Sequence, residues 1–340
     1  MSRVLIAGIV AGVISIFAGP RFIAFLRRKE LGQQIREEGP ERHIEKRGTP
    51  TAGGILILLS ASLAFFIFSN HKVTGLLVVF VTLSCGLIGF LDDFIKFTHK
   101  RSLGLNGRWK LLLLAVVAAI TGYLANRADL DHLTSVLLPV TGWRIPLGPF
   151  WYVFIFIVIA GAANGVNLAD GIDGLAAGTA IISLFTFTTM AVLLYIRSGK
   201  PDFRSASKLD LAIVGAALIG AAVGFLWYNA FPAEVFMGDT GSMALGGAMA
   251  GFAIVMKVEV LLLFIGGVYL IEALSVIIQV FSFKYLGRRV FLIAPIHHHF
   301  EMKAWSETKI MVRFWILCAI LCALGFALYY RYYFQFFRGK

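Results

Sequence analysis

Long apolar segments alternate with short polar loops along almost the whole chain. A segment of about 20 apolar residues is long enough to cross a bilayer as a helix. The segments are continuously apolar, which excludes a transmembrane β-barrel, because barrel strands alternate apolar and polar positions. The pattern therefore predicts an all-α integral membrane protein with about ten transmembrane helices, and residues 1–340 are expected to form a single polytopic membrane domain. The predicted spans lie near residues 4–26, 52–68, 74–91, 111–126, 150–163, 174–196, 211–229, 241–256, 258–283 and 311–334.

The composition agrees with this pattern, and the charge gives it an orientation. The chain is 59% hydrophobic and only 15% charged, whereas soluble domains are about a quarter charged. The basic residues behind the net charge of +12 lie in loops, so we expect contact with membrane lipid headgroups and no nucleic-acid partner. The basic loop 27–47 predicts a cytoplasmic side after the first span. The basic loop 197–210 falls on the opposite side and is an exception.

The loops with unusual clusters of polar residues all follow odd-numbered spans. They are therefore predicted to share the cytoplasmic side, which is what a single composite site requires. They fall within 27–47, 92–110, 164–173, 232–239 and 284–309.

The third span ends in the motif GFLDDFIK, which contains Asp92, Asp93 and Lys96. An ionised carboxylate at the bilayer centre costs ~2.5–3.5 kcal/mol, so both aspartates are expected at the water edge. Paired carboxylates there are compatible with a helix cap. They are also typical of metal binding or proton abstraction beside a phosphate, which Lys96 would hold.

Two further loops are rich in both aspartate and glycine. The motif NGVNLADGIDGLAAG spaces Asn164, Asn167, Asp170 and Asp173 by threes, and its glycines let backbone N–H groups approach a ligand closely. The motif FMGDTGSMALGG places Asp239 at the start of the eighth span, where a helix N-terminus attracts phosphate. Because an aspartate there repels phosphate unless a cation lies between them, the motif predicts Mg²⁺ at Asp239.

Aromatic, amide and imidazole side chains complete the group of candidate site residues. Asn229 ends the seventh span, and Phe236 is placed to stack on a base. The motif PIHHHFE contains His297, His298 and His299. Adjacent residues of a helix do not share a face, so hydrogen bonds to phosphate or sugar oxygens are favoured over a zinc centre.

The remaining polar residues have simpler explanations as well as functional ones. Lys46 and Thr51 enter the second span in EKRGTPTAGG, and Lys110 begins the fourth. Such residues are typical of a basic membrane flank and of snorkelling side chains. Glu272 and Gln279 lie inside the ninth span, where lining a groove and hydrogen bonding between helices remain open alternatives.

Taken together, five motifs resemble those of one enzyme family. The motifs GTPTAGG, GFLDDFIK, NGVNLADGIDGLAAG, GDTGSMALGG and PIHHHFE resemble those of the phospho-N-acetylmuramoyl-pentapeptide transferases (translocase I). These are a bacterial branch of the polyprenyl-phosphate N-acetylhexosamine-1-phosphate transferases. The aspartate-rich motifs mark the superfamily, whereas PIHHHFE and GTPT indicate the branch. The resemblance covers about Arg42 to Glu301, and Ala52 stands where methionine is expected.

The resemblance implies an activity, a location and partners. It implies a ten-helix, dimeric enzyme of the bacterial cytoplasmic (inner) membrane, with its active site facing the cytoplasm. The enzyme would transfer phospho-MurNAc-pentapeptide from UDP-MurNAc-pentapeptide to undecaprenyl phosphate, giving lipid I and UMP with Mg²⁺. The alternative within the superfamily is a polyprenyl-phosphate GlcNAc-1-phosphate transferase, against which the histidine triplet argues. An ion-coupled transporter is disfavoured because the aspartates gather at span ends on one side.

The resemblance also implies roles for individual residues. Asp239 matches the Mg²⁺ ligand, Asp92 and Asp93 match the catalytic pair, and His297 matches the essential histidine. The separate roles of Asp92 and Asp93 stay open, as does the choice between direct attack by the lipid phosphate and a covalent phospho-aspartate. The expected substrate-binding residues are Lys46, Thr51, Lys96, Lys110, Asn167, Asp170, Asp173, Asn229, Phe236, His298 and His299.

Overall fold

The computed structural model describes residues 1–29, 48–99, 104–127, 134–139, 141–200 and 203–333. In these residues helices dominate, and the only sheet is a two-stranded antiparallel hairpin of β1 (Ser135–Leu137) and β2 (Arg144–Pro146). Short 3-10 helices cover Gly148–Phe150 and Glu259–Leu261, and a π-helical turn covers Tyr329–Tyr333. The α-helices are α1 (Ser2–Arg28), α2 (Gly54–Phe68), α3 (Val73–Thr98), α4 (Gly107–Arg127), α5 (Trp151–Ala169), α6 (Leu175–Ile196), α7 (Ala206–Asn229), α8 (Gly238–Val255), α9 (Leu262–Ile265), α10 (Gly267–Leu286), α11 (Ile296–Glu301) and α12 (Glu307–Leu328).

Eight helices of the described chain are long and apolar enough to cross a membrane, namely α1, α3, α4, α5, α6, α7, α10 and α12. This confirms the predicted all-α, multi-pass membrane protein. The other two predicted spans correspond to α2, which has only 15 residues, and to the glycine-rich α8. The count of ten crossings therefore stays a prediction.

Helix α8 is the centre of the bundle. Every residue from Thr240 to Val255 is buried, as expected for a helix that is surrounded by others rather than by solvent. Its closest neighbour is α3, and small residues allow the approach. A Cβ atom added to Gly89 of α3 would overlap the backbone of Asp239, and one added to Gly247 of α8 would lie 2.7 Å from Cys85 Cβ. This contact brings the end of α3 beside the start of α8.

The ninth predicted span differs from the expectation of one continuous helix. The structure divides it into the 3-10 helix Glu259–Leu261, then α9, then α10. The break falls at Gly266 and Gly267, whose missing side chains make a helical conformation costly. A Cβ at Gly267 would lie 2.8 Å from Leu321 Cδ1, so α12 packs closely against the break.

At the end of the bundle away from the aspartate motifs, one buried carboxylate links α7 to the connection between α2 and α3. Asp210 of α7 accepts hydrogen bonds from the backbone N–H groups of Asn70 and Lys72, at 2.8 and 2.7 Å. These N–H groups precede α3, so Asp210 holds the α2–α3 connection against α7 and fixes where α3 begins.

Candidate functional site

Three carboxylates meet where the end of α3 contacts the start of α8. Asp92 and Asp93 lie in the last two turns of α3, and Asp239 lies in the first turn of α8. One oxygen of each carboxylate lies within 4.8 Å of the others. Carboxylate oxygens are the ligands that Mg²⁺ prefers in proteins, so the donor set fits the predicted magnesium site.

Helix α3 is longer at this end than the sequence predicted. It continues to Thr98 rather than stopping near residue 91. Asp92 and Asp93 are only 3% and 4% exposed, because packing against α8 holds the polar end of the helix inside the protein. The aspartates thus lie in a protein-lined site.

Two lysines bridge two of the three carboxylates. Lys96 Nζ lies 2.6 Å from Asp92 Oδ2 and 3.1 Å from Asp239 Oδ1. Lys110 Nζ lies 3.3 Å from Asp92 Oδ1 and 2.9 Å from Asp239 Oδ2. Opposite charges at these distances attract one another, so the two ammonium groups hold Asp92 and Asp239 together. Lys110 is therefore part of the cluster and not merely a basic residue at a membrane flank.

Asp93 is bonded differently from Asp92. Its Oδ1 accepts from the N–H of Asp239 at 3.2 Å, and its Oδ2 accepts from the N–H and Oγ1 of Thr240 at 3.0 and 2.7 Å. First-turn N–H groups have no partner within their own helix, so Asp93 supplies the cap of α8 from a neighbouring helix. Asp92 instead faces the lysines, and its Oδ1 accepts from the N–H of Leu105 at 2.9 Å.

The aspartate-rich loop between α5 and α6 is joined to the loop after α7. Asn229 Oδ1 accepts from the N–H of Gly174 at 3.1 Å, and its Nδ2 donates to the carbonyl of Val235 at 2.9 Å. Asp173 Oδ2 accepts from the N–H of Ala233 at 3.0 Å. Asn229 and Asp173 are both buried, so they hold two loops together beside the site.

Asn167 and Asp170 face the same centre from the end of α5. Asn167 Nδ2 donates to Ser242 Oγ at 3.0 Å, which links α5 to α8. Asp170 follows α5 and is partly exposed. Desolvation, followed by repulsion from Asp239 and Asp93, raises the pKa of Asp170 to about 8. This raised pKa reflects the burial of the carboxyl group first and the neighbouring carboxylates second.

The GTPTAGG loop is joined to the loop that precedes α8. The N–H of Phe236 donates to the carbonyl of Pro50 at 2.8 Å, and the N–H of Gly53 donates to the carbonyl of Phe236 at 2.9 Å. Thr51 lies beside the carboxylates, because its side chain and that of Asp93 border the same space next to Gly238. A Cβ atom added to Gly238 would lie 2.9 Å from Thr51 Oγ1 and 2.8 Å from Asp93 Oδ2. Lys46, predicted from the same loop, lies outside the described residues.

The three consecutive histidines all lie in α11, but each has a different environment. His297 is fully buried, and its Nδ1 lies 3.1 Å from Glu272 Oε1. His298 pairs through its Nδ1 with Glu301. His299 Nδ1 accepts from a backbone N–H, and burial and nearby Lys303 lower the pKa of His299. The separate partners agree with the expectation that adjacent histidines do not share a face.

The ninth span contributes two residues whose role the sequence left open. Glu272 faces His297, and Gln279 Oε1 accepts from the N–H groups of Val290 and Phe291 at 3.0 and 2.9 Å. Gln279 thus braces the segment that leads into α11. The sequence signal for both was a polar side chain inside an apolar span, but it did not identify their partners.

Comparison with known proteins identifies the family of the chain. Residues 75–257 match the family glycosyl transferase family 4. The chain is 45% identical over 324 residues to a phospho-N-acetylmuramoyl-pentapeptide-transferase of Desulfitobacterium hafniense (strain DSM 10664 / DCB-2), covering 94% of this chain and 96% of the relative. It is 47% identical over 316 residues to a protein of the same name from Geobacillus sp. (strain WCH70), covering 92% and 93% of the two chains.

The chain therefore belongs to glycosyl transferase family 4 and, within it, to the family of the phospho-N-acetylmuramoyl-pentapeptide transferases. This confirms the resemblance that the motifs indicated. The chain is a membrane-embedded enzyme of the phospho-sugar transferase type.

Proposed function

We propose that the chain transfers phospho-MurNAc-pentapeptide from UDP-MurNAc-pentapeptide to undecaprenyl phosphate, giving lipid I and UMP. The observation that carries the proposal is the cluster of Asp92, Asp93, Asp239, Lys96 and Lys110 at one end of the bundle. The relatives named phospho-N-acetylmuramoyl-pentapeptide-transferase are similar to the chain over more than nine-tenths of its length, which supports the proposal.

Asp239 and Asp92 are the proposed Mg²⁺ ligands, because both face the centre of the cluster and neither caps a helix. When bound, Mg²⁺ offsets the charge of the diphosphate and stabilises the leaving UMP. Lys96 and Lys110 each bridge these two carboxylates. Their ammonium groups are therefore near enough to turn towards incoming phosphate oxygens.

The proposed reaction is a direct displacement. An oxygen of the lipid phosphate forms a bond to the sugar-bearing phosphorus, the bond from that phosphorus to the bridging oxygen breaks, and UMP leaves with the electron pair. A phosphate monoester has its second pKa near ~6, so the lipid phosphate needs little help from a base. Asp92 positions the lipid phosphate or takes its residual proton.

Asp93 is proposed as a positioning residue rather than a nucleophile. Both of its oxygens already accept hydrogen bonds from the first turn of α8. An attack by Asp93 on phosphorus would have to break that cap and release Asp239. The geometry thus disfavours a covalent intermediate on Asp93 and gives the two adjacent aspartates different tasks.

The nucleotide is proposed to lie against the joined loops. Phe236 and Asp170 are partly exposed and are placed to touch the nucleoside and its phosphates. Asp173 and Asn229 are proposed to shape this surface through the hydrogen bonds they make between loops. Further contacts are proposed for Lys46, Thr51, Asn167, His297, His298 and His299.

The enzyme is proposed to lie in the bacterial cytoplasmic membrane as a homodimer, with residues 1–340 as one polytopic domain and this site facing the cytoplasm. Arg27 and Arg28 end α1, and Lys96 lies at the end of α3. Positive charge at these helix ends supports the orientation.

The test is UMP release by the purified chain from UDP-MurNAc-pentapeptide, with and without undecaprenyl phosphate, in Mg²⁺ and in chelator. We expect release that requires both lipid and Mg²⁺. Release that continues over many turnovers without lipid would contradict the assignment. Preference for UDP-GlcNAc would support the alternative transferase, and one equivalent of UMP in a lipid-free single turnover would support the covalent route.

A further inference from the structure

A glutamate inside the membrane-spanning part of the chain faces the buried histidine. Glu272 lies in α10 and His297 lies in α11, and both are 0% exposed. Glu272 Oε1 is 3.1 Å from His297 Nδ1. Ionisable residues inside transmembrane segments are costly and usually functional, so this glutamate requires an explanation beyond packing.

Within the described part of the chain, neither oxygen of Glu272 and neither ring nitrogen of His297 has a hydrogen-bond partner of good geometry. The ring of His298 lies against that of His297, with 4.1 Å between their centroids. A buried carboxylate without a partner is strongly destabilising. The contact of Glu272 with His297 Nδ1 is therefore the interaction that can offset the burial of this carboxylate.

The other ring nitrogen of His297 points towards the aspartate-rich loop. A Cβ atom added to Gly171 would overlap His297 Nε2. Gly171 directly follows Asp170 in the loop between α5 and α6. The imidazole thus lies between Glu272 on one side and the loop of the proposed nucleotide surface on the other.

We infer that Glu272 is a positioning residue, which holds the proton of His297 on Nδ1 and thereby directs Nε2 at the loop that begins at Asp170. A carboxylate at one ring nitrogen fixes both the tautomer and the orientation of an imidazole. Gly171 leaves the space that Nε2 needs. The role of this orientation rests on the proposed function, in which Nε2 contacts a phosphate or sugar oxygen of the substrate.

The experiment compares Glu272→Met, which removes the acceptor, with Glu272→Gln, which keeps one acceptor oxygen and the shape. The chain is labelled with ¹⁵N at its seven histidines, and the His297 signals are assigned by their loss in His297→Gln. We expect the wild type to carry the ring proton on Nδ1, Glu272→Met to lose this tautomer, and Glu272→Gln to retain part of it.

Transfer kinetics provide the second readout. Glu272→Met should lower kcat at least about tenfold, as loss of a carboxylate that orients a histidine does elsewhere, with KM for the nucleotide changing less. Glu272→Gln should recover part of kcat. In the His297→Gln background, Glu272→Met should add little further loss, because the glutamate acts through the histidine.

Ser275→Ala is the matched control. Ser275 is buried on the same helix, and its Oγ donates to the backbone carbonyl of Glu272 at 2.7 Å. This change should leave the His297 signals and kcat near wild type. Unchanged His297 signals in both Glu272 variants would overturn the inference, whatever their activity. Since the nuclear signals need no substrate, an absence of lipid-dependent transfer would instead count against the proposed function alone.

Discussion

Asp93 on α3 accepts a hydrogen bond from the backbone N–H of Thr240 on α8, at 3.0 Å and across 147 positions of the chain. The hydroxyl of the same threonine donates to the same oxygen at 2.7 Å. One side chain thus fixes the first turn of the helix that carries Asp239. The adjacent Asp92 makes none of these bonds and faces the lysines instead.

Replacing the two aspartates should therefore have different effects. Asp93→Ala should lower the free energy of unfolding by about 1–3 kcal/mol, because buried N–H groups lose their acceptor, and should also lower kcat. Asp92→Asn should lower kcat with a smaller loss of stability. Thermal unfolding and UMP release measured on the same preparations test this, with Thr240→Val as a control that removes one of the three bonds. Wild-type stability in Asp93→Ala would show that Asp93 is not the cap.

Removal of a bridging lysine should make the thermal stability of the protein depend more strongly on Mg²⁺. In Lys110→Met, Asp92 and Asp239 lose one of the ammonium groups that neutralise them. Mg²⁺ should then raise the unfolding temperature more than it does in the wild type, because a ligand stabilises according to its affinity for the native state. Lys257→Met, at the far end of α8, should lack this effect. An equal Mg²⁺-dependent shift in Lys110→Met and wild type would argue against a cation between the carboxylates.

The raised pKa of Asp170, about 8, predicts a specific pH dependence in the absence of Mg²⁺. The folded protein holds this proton more tightly than the unfolded chain, whose aspartates titrate near pKa 3.9. The stabilising contribution is complete below that value and is lost as pH rises through about 8. In chelator, the wild type should lose stability relative to Asp170→Asn between about pH 4 and 8. The measurement is the unfolding temperature of both proteins across this pH range. A constant difference between the two temperatures would contradict the prediction.

Separating the two joined loops should weaken nucleotide binding. Asn229→Ala removes the acceptor for Gly174 and the donor to Val235. KM for the nucleotide should rise about tenfold, because the two lost buried hydrogen bonds are worth about 1 kcal/mol each and most of that energy is then spent on ordering the loops when the nucleotide binds. Asn164→Ala is the matched control, since Asn164 bonds only a carbonyl of its own helix at 2.8 Å. Similar KM values for the two variants would show that the Asn229 link does not shape the nucleotide surface.

The close approach of α3 and α8 should tolerate no added methyl group. Gly89→Ala places a Cβ against the backbone of Asp239, and overpacking of this kind costs about 1–3 kcal/mol. It should also displace Asp239 and lower kcat. Gly161→Ala, on α5, meets open space and should behave as wild type. The comparison uses thermal unfolding and initial rates of the two variants. A wild-type kcat in Gly89→Ala would show that the contact between α3 and α8 does not position Asp239 for the reaction.

The sequence predicted the helices well because each depends on a long apolar run, which is a local property. It also predicted that the aspartate motifs converge, since alternating spans return every second loop to one side. It did not predict that Asp93 caps α8 or that Glu272 meets His297. Those pairings depend on which helices pack together, and small residues such as Gly89 decide this through contacts with residues far away in the sequence. The break at Gly266 was missed because a glycine pair inside an apolar run does not by itself interrupt the hydrophobic pattern.

Because protein surrounds α8 from Thr240 to Val255, the helix that carries Asp239 is shielded from the acyl chains of the bilayer. Helices that face lipid tilt when the membrane becomes thinner or thicker, but α8 receives such changes only through its neighbours. The cap at Asp93 ties its first turn to one of those neighbours, so the carboxylates would shift together. A change of lipid composition would therefore be expected to reach the carboxylates only as a movement of the whole cluster, with its internal distances kept.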